Sequence, residues 1–452
     1  MELKGKNVLI LGLAVSGVST AKALNKLGSK ITVTDMKTEE ELKEQLLELK
    51  DIDICFVLGS NNVDLSEIDL IIKSPGIPLD IPIIKSALDN NIEVVTDIEL
   101  AYRISKNKFI AITGTNGKTT TTALTGNMMN KAGLKNHVTG NIGVGILWEA
   151  VNADEKDIFV IEASSFQLES TKYFKPNISL ITNITPDHLN WHKTFDNYVE
   201  AKKKILKNQG EDDYTILNYD DLLLRKMGKD IKSNLIYFSA DNKLEKGVYI
   251  YDYQIIINDG KKIIKVMDSR DIRIPGKHNL SNALAAVSVG WAMGIETEVI
   301  ASSLREFEGV EHRIEFVDNI SGVKFYNDSK GTNPDSSIKA IEAINKPIIL
   351  IAGGMDKGSD FGEFIDSFND KVKALVLLGE TKEKIKDAAI SKEFNNIYIV
   401  SSIEEAVNKS FELAVPNDNV LLSPACASWD MFKSYEERGR IFKQAVKNLR
   451  ED

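Results

Sequence analysis

The sequence predicts an α/β protein of three domains in series. Its 452 residues exceed what one hydrophobic core organises. Short apolar runs alternate with helical stretches along most of the chain, and one such run leads directly into a phosphate-loop pattern. Hydrophobic residues make up 43% and charged residues 27%, the balance of a soluble globular protein.

The first hundred residues offer strands at Val8–Leu11, Ile31–Thr34, Ile54–Val57, Leu70–Ile72 and Val94-Val95, with helices expected at Ser16–Leu27 and Glu39–Lys50. Such alternation implies a parallel sheet with right-handed crossovers. A second group begins at Phe109–Ile112 and continues through Ile158–Ile161 and Ile178–Ile181. Between Leu235 and Ile274 short alternating runs around an Asn258-Asp259-Gly260 turn suggest antiparallel hairpins, and Asn282–Met293 reads as a helix. A third group has strands at Pro347–Ile351, Ala374–Leu378, Ile397–Val400 and Val420–Leu422. The expected boundaries are 1–98, 99–309 and 310–452.

Several function classes are disfavoured. No apolar run reaches the roughly 18 residues that span a bilayer, and the N-terminus lacks the apolar region of a signal peptide. Cys55 and Cys426 stand far apart, which excludes a disulfide framework or cysteine zinc site, so the cytoplasm is the expected compartment. A net charge of -10 argues against nucleic acid as partner.

The most informative segment is Gly114-Thr115-Asn116-Gly117-Lys118-Thr119-Thr120. Glycines let a loop bring its N–H groups up to phosphate oxygens, and a following helix N-terminus adds about half a positive charge. Lys118 can reach the β- and γ-phosphates of ATP, and the Thr119 hydroxyl can ligate Mg²⁺. Ile112 stands where the general pattern has its first glycine, so this is a compact variant. Glu162 ends a buried strand, and Asp187-His188 follow the next one, placing both at the rim where a parallel sheet presents ligands. Taken singly, each of these rim residues reads equally well as an ordinary loop residue. Gly12–Gly17 alone is either a nucleotide-binding or a structural turn.

These segments, with Ser74-Pro75-Gly76-Ile77, Gly140-Asn141-Ile142-Gly143, Glu162–Glu169, Gly276–Asn279, His312-Arg313, Asn327–Asn333, Gly353–Lys357 and Ser423–Ser428, run nearly end to end. In this the chain resembles the Mur ligase family, and within it the branch that adds D-glutamate. The resemblance implies a Rossmann-like N-terminal domain, a central P-loop ATPase domain with a mixed sheet and a Rossmann-like C-terminal domain. It implies an ATP-dependent ligase that forms an acyl phosphate, acts on UDP-N-acetylmuramoyl-L-alanine and D-glutamate, and works as a monomer without membrane insertion.

The family's roles carry over residue by residue. Lys118 and two Mg²⁺ ions neutralise the moving phosphoryl group, and Thr119, Glu162, His188 and Lys202 are the metal ligands. Asn282 resembles an adenine contact, while Arg313 and Asp328 resemble nucleotide contacts of the last domain. Ser16, Lys37, Gly76 and Asn141, again with His188, fall where the family holds the precursor; Lys37 replaces an arginine near the diphosphate with a point charge. Thr332, Lys357, Ser428, Trp429 and Tyr435 fall at the D-glutamate site. Lys202 matches a lysine that is carbamylated in the family: an ammonium only donates, whereas a carbamate has acceptor oxygens for a cation. Without the resemblance, Lys202-Lys203-Lys204 is equally a solvated charge run.

Two rivals remain at this level: an amide ligase of the same fold with other substrates, such as a folylpolyglutamate synthase-like enzyme, and a P-loop switch that hydrolyses ATP without an amino acid. Residues on separate domains must also be brought together for chemistry, so a hinge is expected near Glu308–Glu311.

Overall fold

The computed structural model describes residues 1–141, 145–274, 276–356 and 358–450. Two compact units are present, one of Met1–Asp271 with Ser281–Leu304, the other of Ile272–Leu280 with Arg305–Asp452.

The first unit holds two sheets. Strands β1 (Asn7–Leu11), β2 (Lys30–Asp35), β3 (Ile54–Leu58), β4 (Leu70–Lys73) and β5 (Glu93–Val95) form a parallel sheet in the order β3-β2-β1-β4-β5. The chain works outward from β1 to β3 and then crosses back to β4, so the β1/β4 boundary is the switch point where such sheets open a ligand crevice. The helices between these strands are Val15–Lys26, Lys43–Leu49, which starts later than the sequence suggested, and Pro82–Asp89.

The second sheet contains β6 (Lys108–Thr113), β7 (Asn136–Gly140), β8 (Ile158–Glu162), β9 (Ile178–Ile181), β10 (Tyr214–Asn218), β11 (Asn234–Ser239), β12 (Gly247–Tyr251), β13 (Gln254–Asn258) and β14 (Ile263–Asp268). Their order is β14-β13-β12-β11-β10-β9-β6-β8-β7. β6 lies between β9 and β8 and carries the fully buried run Phe109–Ile112. The hairpins expected after Leu235 are present as β12–β13–β14, but β11 pairs parallel with both β10 and β12. Alternation along a strand reports a half-buried face and is silent on the direction of its neighbour.

The two sheets share one apolar core. Ile146 and Leu147, on the helix Ile146–Asn152, are fully buried in a cluster that also contains Val18, Ala21, Phe109 and Phe159. Burying each of these aliphatic side chains contributes about 2 kcal/mol. Glu99 adds a polar tie. Its buried carboxylate accepts hydrogen bonds from the backbone N–H groups of Lys172, Tyr173 and Phe174 at 2.9, 2.9 and 3.0 Å, and from Arg103 Nε at 2.7 Å.

In the second unit, β15 (Glu315–Ile320), β16 (Val323–Asn327), β17 (Ile348–Ala352), β18 (Val372–Leu377), β19 (Ile397–Ile399) and β20 (Asn419–Leu422) are ordered β15-β16-β20-β17-β18-β19. All pairs are parallel except β15–β16, a hairpin closed by Ser321-Gly322 with φ of 51° and 84°. That two-residue turn, flanked by alternating apolar positions, is the signal from which the hairpin could have been read.

Candidate active site

The loop after β6 is shaped by two glycines. Gly114 has φ +149° and a Cβ there would stand 1.9 Å from Thr182 Oγ1; Gly117 has φ +84° and its Cβ would stand 2.2 Å from Asn282 Oδ1. Only glycine fits both the backbone and the space. Gly117 caps the helix Lys118–Lys131, whose first turn contains no carboxylate to compete with a bound anion. Asn282 is thus brought against the phosphate loop, and Thr119 and Thr120 are buried in the first helical turn.

The loop is strapped to the segment after β9. Thr115 N–H donates to Asn183 O at 2.9 Å, Asn116 N–H to Asn183 Oδ1 at 2.9 Å, and Thr182 Oγ1 to Asn116 O at 2.6 Å. Thr115 Oγ1 also lies 3.0 Å from the hydroxyl of Tyr198. Sequence reading missed Thr182, Asn183 and Tyr198. Their role depends on β9 lying beside β6, about 70 residues away in the chain.

Lys118 Nζ donates to Gly114 O at 3.0 Å and to Thr115 O at 2.9 Å. Lys202 Nζ donates to the same Gly114 oxygen at 2.7 Å and lies 4.7 Å from the centroid of the Tyr198 ring. Lys202 is 2% exposed, which removes the solvated charge-run reading. Burial, reinforced by the Lys118 charge, holds its ammonium well below the ordinary lysine range. Lys203, its neighbour on the helix Phe195–Lys203, is exposed and pairs with Glu200.

Glu162 ends β8 at 2% exposure. Its Oε1 accepts from Asn141 Nδ2 at 3.0 Å, and its Oε2 is buried with no hydrogen-bond partner among the described residues. An orphaned carboxylate oxygen is costly unless something occupies it, and a hard cation suits an oxygen donor beside a phosphate loop. The donor set therefore fits Mg²⁺. His188 is held at φ +52°, half-exposed, with its ring 4.8 Å from Phe166, 6.4 Å from Tyr198 and its Nε2 3.5 Å from Asp187 Oδ2. Behind it, Phe166 stacks on His192, and His192 Nε2 meets Ser165 Oγ at 3.0 Å. The Glu162–Glu169 segment thus supports the rim in addition to supplying Glu162.

At the first sheet, Gly12 and the Ser74–Ile77 turn face one another across the β1/β4 switch point: Ser74 Oγ donates to Gly12 O at 3.1 Å. Ser16 is half-buried beside Gly145, while Lys37 and Gly76 are exposed. Asp35 fixes the first loop, accepting from Leu13 N–H at 2.7 Å and Lys37 N–H at 2.9 Å.

In the second unit, Asp328 is fully buried, shares a 2.7 Å hydrogen bond with Ser423 Oγ and accepts from Ile314 N–H at 3.2 Å. Burial pushes its carboxyl up to about 7 against the pull of Ser423 and Arg313. The organising residue, also missed, is Arg438. It is 2% exposed and donates to Ser329 Oγ and O at 2.9 and 2.8 Å and to Cys426 O at 3.2 Å. It therefore joins the Asn327–Asn333 and Ser423–Ser428 segments. Ser428 is buried, Thr332 and Tyr435 are half-buried, and Trp429 is 63% exposed. Lys357, expected at the amino-acid site, and Ile142 and Gly143 of the Gly140–Gly143 segment lie outside the described residues.

Three family models match the chain: a Mur ligase MurD-like N-terminal domain at residues 6–96, a Mur ligase middle domain at 112–290, and a Mur ligase glutamate ligase domain at 312–426. The chain is 53% identical to the UDP-N-acetylmuramoylalanine--D-glutamate ligase of Thermoanaerobacter sp. (strain X514) over 453 residues, covering 100% of each chain. It is 48% identical to the enzyme of that name from Clostridioides difficile (strain 630) over 452 residues, again covering 100% of each. Among solved structures, UDP-N-acetylmuramate-alanine ligase MurC from Thermotoga maritima superposes with a TM-score of 0.63 at 20% identity, covering 98% of this chain and 99% of that one. MurF ligase from Thermotoga maritima, in complex with ADP, gives 0.59 at 16% identity over 93% and 96%. At these identities the two structures speak to the fold alone.

Proposed function

Because the chain belongs to the Mur ligase family, we propose that it joins D-glutamate to UDP-N-acetylmuramoyl-L-alanine at the expense of ATP, forming ADP and phosphate. The chain is an enzyme, a ligase of peptidoglycan synthesis. The observation that carries the finer reading is the buried, unpartnered Oε2 of Glu162 beside a loop whose two glycines leave room only for backbone.

The chemistry proceeds in two displacements. A carboxylate oxygen of the L-alanyl end attacks the γ-phosphorus of ATP, the bond to ADP breaks, and an acyl phosphate forms. The amine of D-glutamate then attacks the acyl carbon, phosphate leaves with the C–O bond, and the nitrogen gives up a proton. Lys118, now held by two carbonyl oxygens, exchanges them for phosphoryl oxygens and offsets charge as it develops. Thr119, Glu162, His188 and carbamylated Lys202 would hold two Mg²⁺ ions, which supply further charge neutralisation. The depressed basicity of Lys202 favours the neutral amine that reacts with carbon dioxide. Asn282 meets the nucleotide, as do Arg313 and Asp328 of the second unit.

Ser16, Lys37, Gly76, Asn141 and His188 receive the precursor, and Thr332, Lys357, Ser428, Trp429 and Tyr435 receive D-glutamate. The protein acts as a cytoplasmic monomer in this reading. Among the described residues no helix is long and apolar enough to cross a membrane.

The deciding assay is phosphate release with the precursor and ATP, comparing D-glutamate with L-glutamate, meso-diaminopimelate and L-alanine. Release that requires both the precursor and D-glutamate is expected. Release without any amino acid would instead identify an ATP-hydrolysing switch, and preference for another amino acid would identify a different ligase of this fold.

A further inference from the structure

Lys73 ends β4 at 1% exposure, immediately before the Ser74–Ile77 turn. Its Nζ donates to Pro75 O at 3.2 Å and Ile77 O at 2.9 Å, while Ile77 N–H closes the turn on Ser74 O at 3.0 Å. Among the described residues no carboxylate comes within ion-pair distance of this ammonium. Beyond it lies the ring of Trp191, 5.9 Å from Nζ, on the short helix Leu189–His192 that follows His188. Trp191 is itself fixed, its Nε1 donating to Glu169 Oε2 at 3.1 Å and its N–H to His188 O at 3.0 Å. Lys73 therefore bridges the switch-point turn of the first sheet and the segment that carries His188.

A buried ammonium without a direct counter-charge is expensive, and an apolar side chain could fill the same volume. What the ammonium adds is direction. In a trans peptide the C=O and the following N–H point to opposite sides. Binding the Pro75 carbonyl from within the protein turns the Gly76 N–H away from Lys73. Gly76 is exposed, with open space where a Cβ would stand.

We propose that Lys73 is a positioning residue for the anionic precursor, aiming the Gly76 amide into the β1/β4 crevice and holding that turn against the Trp191 helix. This rests on the reading that the crevice takes the nucleotide-linked precursor. Burial lowers the Lys73 ammonium to about 8, opposed by the charges of Glu169 and Asp97, so the group stays largely protonated at neutral pH and keeps its grip on both carbonyls.

The test is calorimetric binding of UDP-N-acetylmuramoyl-L-alanine, and separately of a non-hydrolysable ATP analogue, to wild type, Lys73→Met and Lys73→Gln. Lys73→Met is expected to weaken precursor binding about tenfold and leave the analogue within twofold, and Lys73→Gln, which retains a donor, to fall between. The analogue doubles as a check on folding, and Lys73→Gln decides the matter if Lys73→Met does not fold. Precursor affinity unchanged in the variants, or an equal loss for both ligands, overturns the inference. If wild type itself does not bind the precursor, the functional reading fails and takes this inference with it.

Discussion

Lys118 and Lys202, 84 residues apart in the chain, donate to one and the same acceptor, the carbonyl oxygen of Gly114, at 3.0 and 2.7 Å. Two ammonium groups on one oxygen repel each other, and burial, reinforced by the Lys118 charge, holds Lys202 well below the ordinary lysine range and so towards the neutral amine. Lys118 stands at the mouth of a helix N-terminus.

Lys118→Ala is expected to lower ligation about 100- to 1000-fold, the scale for losing one preorganised charge partner. Thermal unfolding should change little, since the hydrogen bonds to Gly114 O and Thr115 O lie within its own strand–helix turn. Turnover at the wild-type rate in this variant would remove the central assignment.

Lys202→Ala should lose activity and regain part of it when formate or acetate is added, because a small acid fits the vacated space and returns acceptor oxygens to the cation. The readout is turnover against acid concentration. Full activity of the variant without additives would show that Lys202 only packs against Tyr198.

Asp328 gives the second unit a pH dependence with a definite sign. A carboxyl raised from 3.8 to about 7 binds its proton more tightly folded than unfolded. The contribution of Asp328 to stability is therefore greatest below pH 4, declines as pH rises from about 4 to 7, and is level above that. Asp328→Asn is expected to flatten this slope in urea titrations at pH 5, 6 and 7. An unaltered slope would mean that other groups produce it.

Arg438→Met should destabilise the second unit by about 3 kcal/mol, because Ser329 O and Cys426 O lose a buried donor. The D-glutamate KM should rise more than the ATP KM, since the residue joins the segments that carry Thr332 and Ser428, both assigned to D-glutamate. Equal changes in both would assign Arg438 to the fold alone.

What was legible in the sequence was contiguous. Gly114–Thr120 announces itself because one strand, one turn and one helix start lie within a single stretch, and the switch-point loops could be placed because β1 and β4 are plainly apolar. Tyr198, Asn183 and Arg438 carry no local signature. Each acts across a distance in sequence that only the strand order or the packing of the last helix closes. The polar strand β7, Asn136–Gly140, was missed for a related reason: it lies at the sheet edge, where one neighbour suffices and continuous apolarity is not required.

The Glu99 tie has a consequence for how the chain is made. Glu99 leaves the ribosome 73 residues before Lys172, the first of its three backbone donors. At about 5–20 residues per second that is an interval of about 4–15 s. Throughout it, the carboxylate on the helix Asp97–Ile104 lacks the three backbone donors that hold it in the folded chain. The first sheet is thus synthesised early and completed late. Nascent chains arrested at Thr171 should be cut by protease within residues 97–104, and chains arrested beyond β9 should resist.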